Sequence, residues 1–274
     1  MTAFASTETG RGDDRRPSLE PAYLLHHRPF RDSSLILDVF TREHGRLSLV
    51  ARGSRGGKSR LRGILRPFLP LRLSWSIKTD LGTLTGAEAA GPPAVFQGET
   101  LLSGFYLNEL LLIFLHRHDP QPEIFELYSA SLEALAGTSC PARELRVFEI
   151  ELLRLLGYAL DLATDAATGE PVADDVLYEY RADRGPVRAD GREAGRVVCS
   201  GARLKSVAAL ELDDPETLRI ASRLLRMVID YHLGGRELKS RKVLIALRRD
   251  RMRDPAGQPA AETTTHPATS RKTT

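Results

Sequence analysis

Alternation of apolar and polar residues marks the first third of the chain, and this pattern predicts short β-strands. The clearest case is the stretch LPLRLSWSI, where every second residue is apolar: Leu69, Leu71, Leu73, Trp75 and Ile77. A period of two places these side chains on one buried face of a strand, so we expect Trp75 in the core. Similar segments are AYLLHHRPF, SSLILDVFT, GRLSLVARG and LGTLTGAE. The sequence therefore predicts five strands before residue 98.

Five short strands with one long connection between the third and the fourth are typical of an OB-fold barrel. In that fold the loops and one strand face bind oligonucleotides. An SH3-like barrel would give the same alternation, so the strand count alone leaves the topology open.

After residue 98 the apolar period becomes helical. The predicted helices lie in ETLLSGFYLNELLLIFLHRH, QPEIFELYSASLEALAG, PARELRVFEIELLRLLGY, DDPETLRIASRLLRMVIDYHLGG and RELKSRKVLIALRRDRMR. The fourth has clear boundaries, because Asp214 suits an N-cap, Pro215 a first turn and Gly234 a terminator. Between the third and fourth helices, residues 165–200 carry tyrosines, valines and Asp/Gly turns, which predict two or three short strands.

These patterns predict an α+β fold, with an N-terminal five-stranded β-barrel of the OB or SH3-like type followed by a mainly α-helical domain with a small β-rich insertion. We expect the barrel at residues 19–97 and the helical domain at 98–253, with the insertion at 165–200. Residues 1–18 and 254–274 are polar and rich in small residues, so we expect both ends of the chain to be disordered.

Charge is segregated along the chain. The whole protein carries 39 basic and 36 acidic residues, yet nine cations and no acid stand between Gly45 and Thr79. Such a loop predicts a site for a polyanion, of which nucleic acid is the commonest; the alternative is a solvated loop that keeps a hairpin soluble. The residues that we expect to contact phosphates are Arg52, Arg55, Lys58, Arg60, Arg62 and Arg66.

A second basic cluster stands near the C-terminus. It consists of Arg236, Lys239, Arg241 and Lys242. This cluster could hold a second DNA strand or an acidic partner, and the alternative is a solvated helix face.

The segment Gly56-Gly57-Lys58-Ser59 superficially resembles the end of an ATP-binding P-loop. The motif needs a glycine five residues before Gly57, and Arg52 stands there. A helix should follow to bind the phosphates, but Gly63 and Pro67 interrupt the next segment. The sequence therefore predicts no nucleotide site.

No other segment suggests catalysis, a cofactor or a membrane. The sequence lacks a Ser/His/Asp set and a dinucleotide fingerprint, so we expect no enzymatic activity. His116 and His118 were candidates for a metal site, but an i, i+2 pair at the end of a helix favours a structural role. The polar N-terminus and the short apolar runs predict a cytoplasmic protein whose two cysteines are reduced. Phe30 and Phe68 each follow a proline and could be exposed for base stacking.

Several stretches in order carry a resemblance to a known family. They are RPFRDSSLILDVFTREHGRLSLVARGSR, LRPFLPL, GFYLNELLL, LRVFEIELLRLLGY, TGEPV and YHLGGRELKSR. Over about residues 20–250 the chain resembles the RecO family of bacterial DNA repair proteins. The resemblance implies an α+β fold with an N-terminal five-stranded OB-fold β-barrel, a helical bundle and a small module inserted at residues 165–200. It also implies binding of single- and double-stranded DNA and annealing of single strands without ATP. It also implies a nucleoid-associated role with RecR, with the acidic C-terminal tail of the single-strand-binding protein SSB, and with the RecA recombinase, which is loaded onto SSB-coated DNA.

The chain departs from the family pattern in the insertion. Many family members carry a four-cysteine zinc ribbon there, whereas residues 160–200 of this chain contain Cys199 alone. Four thiolate ligands cannot be assembled, so we expect no zinc and no other metal or cofactor.

An acidic tail with an apolar end needs a cation beside an apolar groove. Arg143 and Arg146, one turn apart in ARELRVFEIELLRLLGY, are the candidates for the SSB tail. The alternative is that both arginines pair with Glu144, Glu149 or other nearby acids. For the whole protein, the alternative function is that of an OB-fold protein that binds RNA or the ribosome.

Overall fold

The computed structural model describes residues 19–57, 59–77, 81–191 and 196–253. The predicted disordered ends, 1–18 and 254–274, lie outside the described residues, as does Lys58 of the basic loop.

The N-terminal region is a closed five-stranded barrel, as predicted. Its strands are β1 (Glu20–Phe30), β2 (Ser34–Thr41), β3 (Gly45–Ala51), β4 (Leu71–Ser76) and β5 (Gly82–Ala89). They follow the order β1-β2-β3-β5-β4, and β1 pairs with β4 to close the barrel. The pairing of β3 with β5 is parallel, whereas every other pairing in the barrel is antiparallel. This order is that of an OB fold and decides between the two barrels left open by the strand count.

The alternation in β4 is confirmed up to its last residue, but the predicted burial of Ile77 was wrong. Leu71, Leu73 and Trp75 are buried. Ile77 lies beyond the end of β4 and is 45% exposed, because the strand stops at Ser76. Phe68, for which exposure was considered from sequence, is buried because its ring packs against Phe96 and Phe105, with centroids 5.0 and 5.1 Å away.

The rest of the chain is mainly helical and contains a small sheet. The helices are α1 (Leu61–Ile64), α2 (Gly98–Phe114), α3 (Pro122–Gly137), α4 (Pro141–Leu155), α5 (Gly201–Ala208), α6 (Pro215–Leu233) and α7 (Lys239–Arg253). The short helices α1 and α5 were not predicted. The insertion forms β6 (Leu177–Arg181), β7 (Gly185–Arg188) and β8 (Val198–Ser200), in the order β7-β6-β8. None of the described helices is long and apolar enough to cross a membrane.

Helix ends follow the predicted signals in α6 but not in α2. The Asp214 side chain accepts a hydrogen bond from the Thr217 amide, and Gly234 adopts the left-handed conformation, with φ 58°. The sequence predicted that His116 and His118 lie at the end of a helix. Helix α2 ends at Phe114 instead, so both histidines lie in the following loop. The backbone N–H of His118 donates to the carbonyl of Arg46 and ties this loop to β3.

The barrel has an interior hydrophobic cluster of its own, and a second, larger core is shared between the barrel and the helices. Tyr23, Leu25, Phe40 and Phe68 of the barrel region pack in the same cluster as the buried residues of α2, α3, α4 and α6. Polar contacts accompany this packing. The Asn108 amide donates to the carbonyl of Leu25 at 2.9 Å and accepts from the hydroxyl of Tyr128 at 2.6 Å.

Gly45 fixes the junction between the barrel and the loop after α2. Its φ is +67°, and a Cβ at this position would lie 2.0 Å from the carbonyl oxygen of Asp119. Next to it, Nη1 of Arg46 donates to the carbonyl of Leu112 at 2.8 Å. Close backbone approach and positive φ both require glycine here.

Candidate functional sites

The basic loop, residues 52–70, connects β3 to β4 on the surface of the barrel. The described arginines among its candidates are all exposed, and none of them pairs with a described acid: Arg52, Arg55, Arg60, Arg62 and Arg66. Arginines elsewhere are mostly paired; Arg42, for example, contacts both Glu43 and Glu126. The loop cations can therefore bind an anion without first breaking an internal ion pair.

Hydrogen bonds attach the start of the basic loop to the β1–β2 turn. The Arg55 amide donates to the carbonyl of Ser33 at 3.0 Å, and Nη1 of Arg55 donates to that of Arg31 at 3.3 Å. Arg31 is exposed, and its guanidinium lies 5.1 Å from the centroid of the half-buried Phe30 ring. The turn thus adds a cation and an aromatic face beside the loop.

Sequence reasoning named Phe30 but missed the neighbouring cations. These cations are Arg28 and Arg31, and both are exposed. The cations of the basic loop were recognised because no acidic residue stands among them in the sequence. Asp32 interrupts the run RPFRD, so the charge count did not single out this turn. If these residues had been interpreted as a β-hairpin, Arg31 would have been predicted to lie in its turn.

Two of the four cationic side chains of the second basic cluster, those of Arg241 and Lys242, pair with acids of the protein. Arg241 is 17% exposed and donates to Asp230, while the Lys242 ammonium contacts Glu237. The backbone amide of Lys239 donates to the Glu109 carboxylate, which also accepts from Ser240 and so caps α7. Arg236 is exposed. These residues do not form a continuous cationic face like that of the basic loop.

A cavity of about 260 Å³ lies among α2, α4, α6 and α7. Four of its lining residues are small or aliphatic, namely Ala142, Leu145, Leu244 and Ile245, and five are arginines, namely Arg146, Arg219, Arg223, Arg226 and Arg241. Of the two arginines proposed from sequence, the structure places Arg146 in the cavity wall and Arg143 outside it. Arg143 pairs with Glu144 and Asp213, at 3.3 and 3.1 Å.

A buried polar cluster forms one wall of this cavity. Nη2 of Arg146 donates to Oε1 of Glu149 at 2.7 Å, and the hydroxyl of Tyr106 donates to the same oxygen. Glu149 is 1% exposed. Its Oε2, like Nε of Arg146, is buried without a hydrogen-bond partner among the described residues.

The pKa values of this cluster follow from burial. Loss of solvent raises the pKa of the Glu149 carboxyl, and the positive charge of Arg146 opposes that rise. Burial also raises the pKa of the Tyr106 hydroxyl, and the nearby Glu149 charge raises it further. A raised pKa keeps the Tyr106 hydroxyl protonated, in agreement with its role as the hydrogen-bond donor to Glu149.

Much of the cavity wall was missed from sequence, although a signal existed for it. Arg219, Arg223 and Arg226 stand four and three residues apart in α6, the spacing that places side chains on one helix face. Glu149 follows Leu145 by four residues and precedes Leu152 by three, so it stands on the apolar face of α4.

The described residues contain no group of three or more His, Cys, Asp or Glu side chains arranged to hold a metal ion. In the insertion, Cys199 is buried, and burial raises the pKa of its thiol to about 11. Cys140 is exposed and lies at the start of α4.

Comparison with known proteins identifies the relatives of this chain. Residues 18–93 match the family model described as Recombination protein O N terminal, and residues 95–242 match Recombination protein O C terminal. The DNA repair protein RecO of Nitrosococcus oceani is 45% identical over 234 residues, which cover 85% of this chain and 95% of the relative. That of Methylococcus capsulatus is 45% identical over 233 residues, with the same coverage. That of Dechloromonas aromatica is 42% identical over 227 residues, covering 82% and 93%.

Proposed function

Because this chain belongs to the RecO family of DNA repair proteins, we propose that it binds DNA through the basic loop and anneals complementary single strands without ATP. With RecR, it helps RecA to load onto SSB-coated DNA at the nucleoid. The proposal assigns no catalytic step to the chain.

The observation that carries the proposal is the exposed basic loop on an OB barrel. Its arginines have no acid partners among the described residues, so their charge is available for phosphates. Ion pairs to phosphates hold a strand without occupying the base edges that pairing needs. A protein that binds two strands in this way brings them together by neutralising their charge.

Competition between nucleic acids tests this function against the RNA-binding alternative. A fluorescent single-stranded DNA is bound by the protein, and unlabelled single-stranded DNA or a folded RNA with the same number of phosphates is added. We expect the DNA strand to be the stronger competitor, because the proposed activity is the annealing of single-stranded DNA. Stronger competition by the folded RNA would favour the RNA- or ribosome-associated function.

A second proposal is that the cavity receives the acidic tail of SSB. Its arginines supply partners for the tail carboxylates, and Leu145, Leu244 and Ile245 supply apolar surface for the end of the tail. The sequence proposed this role for Arg143 and Arg146, and the geometry supports Arg146 together with Arg223 and Arg226.

Charge reversal in the cavity tests the tail site. Because Arg146→Glu would place two carboxylates together in a buried cluster, Arg223→Glu is the cleaner variant: Arg223 is exposed and lines the cavity. We expect Arg223→Glu to weaken binding of an SSB tail peptide at least tenfold, about 1.4 kcal/mol. Arg143→Glu, outside the cavity, is the matched control. Annealing of naked DNA should be unchanged in both variants, and equal peptide affinity in both would place the site elsewhere.

A further inference from the structure

Glu149 is a buried carboxylate in the wall of a cavity whose other charged lining residues are arginines. Only one of its oxygens is hydrogen-bonded by described residues, and both donors, Arg146 and Tyr106, use that oxygen. A buried ionised carboxylate with one oxygen lacking a partner is costly. Its neutral form would instead carry a proton on Oε2 and could donate a hydrogen bond.

The charged and titratable groups around Glu149 come from four helices. Arg146 lies on α4 itself, the neutral Tyr106 on α2 and Arg241 on α7. From α6, the arginines at positions 219, 223 and 226 line the same cavity, and the acids of that helix pair with cavity arginines: Glu216 with Arg219, and Asp230 with Arg226 and Arg241. On α3, which also packs against α4, the acidic residues Glu123, Glu126 and Glu133 are exposed. The remaining acids of α4, Glu144 and Glu151, pair with Arg143 and Arg154.

An acidic ligand therefore meets one carboxylate among the cations. We propose that Glu149 takes up a proton when an acidic tail binds in the cavity, so that the ligand carboxylate replaces Glu149 as the negative partner of Arg146. This inference rests on the proposed tail site. Proton uptake removes the like-charge repulsion and leaves the Tyr106 hydrogen bond, since a neutral carboxyl still accepts one.

The direction of the pH dependence follows from linkage. A second negative charge beside Glu149 favours its neutral form, so its carboxyl binds a proton more tightly in the complex than in the free protein. Affinity must then rise as pH falls, by at most about tenfold per pH unit for one proton. Burial raises the pKa of Glu149 in the free protein and so brings the pH range of this proton uptake closer to neutral pH.

Titration calorimetry with the SSB tail peptide of the host organism tests the inference. Binding to the full-length protein is measured from pH 8 to pH 5.5, above the range where aspartates of the peptide titrate. Repeating the titrations in buffers of different ionisation enthalpy gives the number of protons that the complex takes up on binding. We expect the affinity of the wild type to rise at least about fivefold as pH falls across this range, with net proton uptake.

Glu149→Gln is the decisive variant because its neutral amide has the shape of the protonated carboxyl. We expect it to bind the peptide at pH 8 at least as tightly as the wild type does at pH 5.5, with no pH dependence. Glu151→Gln, which removes an i, i+3 partner of Arg154 on the same helix outside the cavity, should behave like the wild type.

The outcomes separate the two proposals. If the peptide binds and Arg223→Glu abolishes binding, but wild type and Glu149→Gln show the same pH profile, the proton-binding role of Glu149 is wrong and the tail site stands. If Glu149→Gln, folded by circular dichroism, binds more weakly than the wild type at pH 8, Glu149 acts as an anion and the inference is also overturned. If no variant binds the peptide at any pH, both proposals fail.

Discussion

Reversal of three charges in the basic loop, in the variant Arg55→Glu, Lys58→Glu and Arg60→Glu, tests whether phosphates are bound there. Five of the six candidate cations are exposed arginines without acid partners among the described residues, and Lys58 is the sixth. If all six contact phosphates of a single strand, the slope of log affinity against log salt is about −4, at about −0.7 per contact. Raising salt from 50 to 200 mM should then weaken wild-type binding roughly 300-fold.

The triple variant retains three contacts, so its slope should be about −2. At 100 mM salt its affinity should be roughly 100-fold below that of the wild type, before any added repulsion by the glutamates. The loss should not depend on base sequence, because phosphate contacts carry no sequence information. Fluorescence anisotropy with labelled single strands of several sequences, at four or more salt concentrations, measures both quantities.

The matched control reverses three exposed cations of the helical region, Arg154, Arg184 and Lys205. It changes the net charge by the same amount and should leave the salt slope near the wild-type value. An unchanged slope and affinity in the loop variant, with its circular dichroism intact, would refute the reasoning. Equal loss in both variants would show that net charge, and not the loop, determines binding.

Three further predictions follow from the sequence and the fold. Annealing of complementary strands should proceed at full rate in EDTA and without nucleotide, because charge neutralisation requires neither; a requirement for ATP or stoichiometric zinc would contradict this. Gly45→Ala should lower the free energy of unfolding, measured with urea, by at least about 2 kcal/mol, since positive φ and a backbone clash both oppose a Cβ there. The control Gly57→Ala, where a Cβ meets nothing within 4 Å, should change it little, and equal stability of the two variants would be inconsistent with a fixed junction. Phe30→Ala should weaken binding of single strands about fivefold, near the lower limit for stacking of one base, without changing the salt slope. Phe30→Tyr should preserve affinity, and an equal loss on an abasic oligonucleotide would show that the ring does not stack on a base.

The sequence predicted those features that depend on local periodicity. The alternation around Leu71, Leu73 and Trp75 gave a strand and its buried face, and Asp214 and Gly234 gave the ends of α6. The parallel pairing of β3 with β5, which distinguishes the OB fold, joins residues that are distant in the chain, so no local pattern encodes it.

The same limit applies to the sites. The basic loop is one continuous segment, so its excess of positive charge could be counted directly from the sequence. The burial of Phe68 could not be predicted because its neighbours, Phe96 and Phe105, come from a later part of the chain. The cavity joins four helices, and Arg146 could be named only as one cation beside apolar residues. Its pairing with Glu149 was one of the alternatives left open, and only the fold shows that the pair lies against a cavity.

The shared core has a consequence for how this protein can be divided. The two family models meet near residue 94, which suggests a portable barrel. A barrel cut at that point would expose Tyr23, Leu25, Phe40 and Phe68, which the helices now cover. At about 1.5–3 kcal/mol per large apolar side chain, this loss is comparable with the whole stability of a typical domain. The barrel would keep its interior cluster but lose this shared one, so a gene fusion that exchanged the barrel between relatives would have to exchange the matching surfaces of α2 and α3 as well.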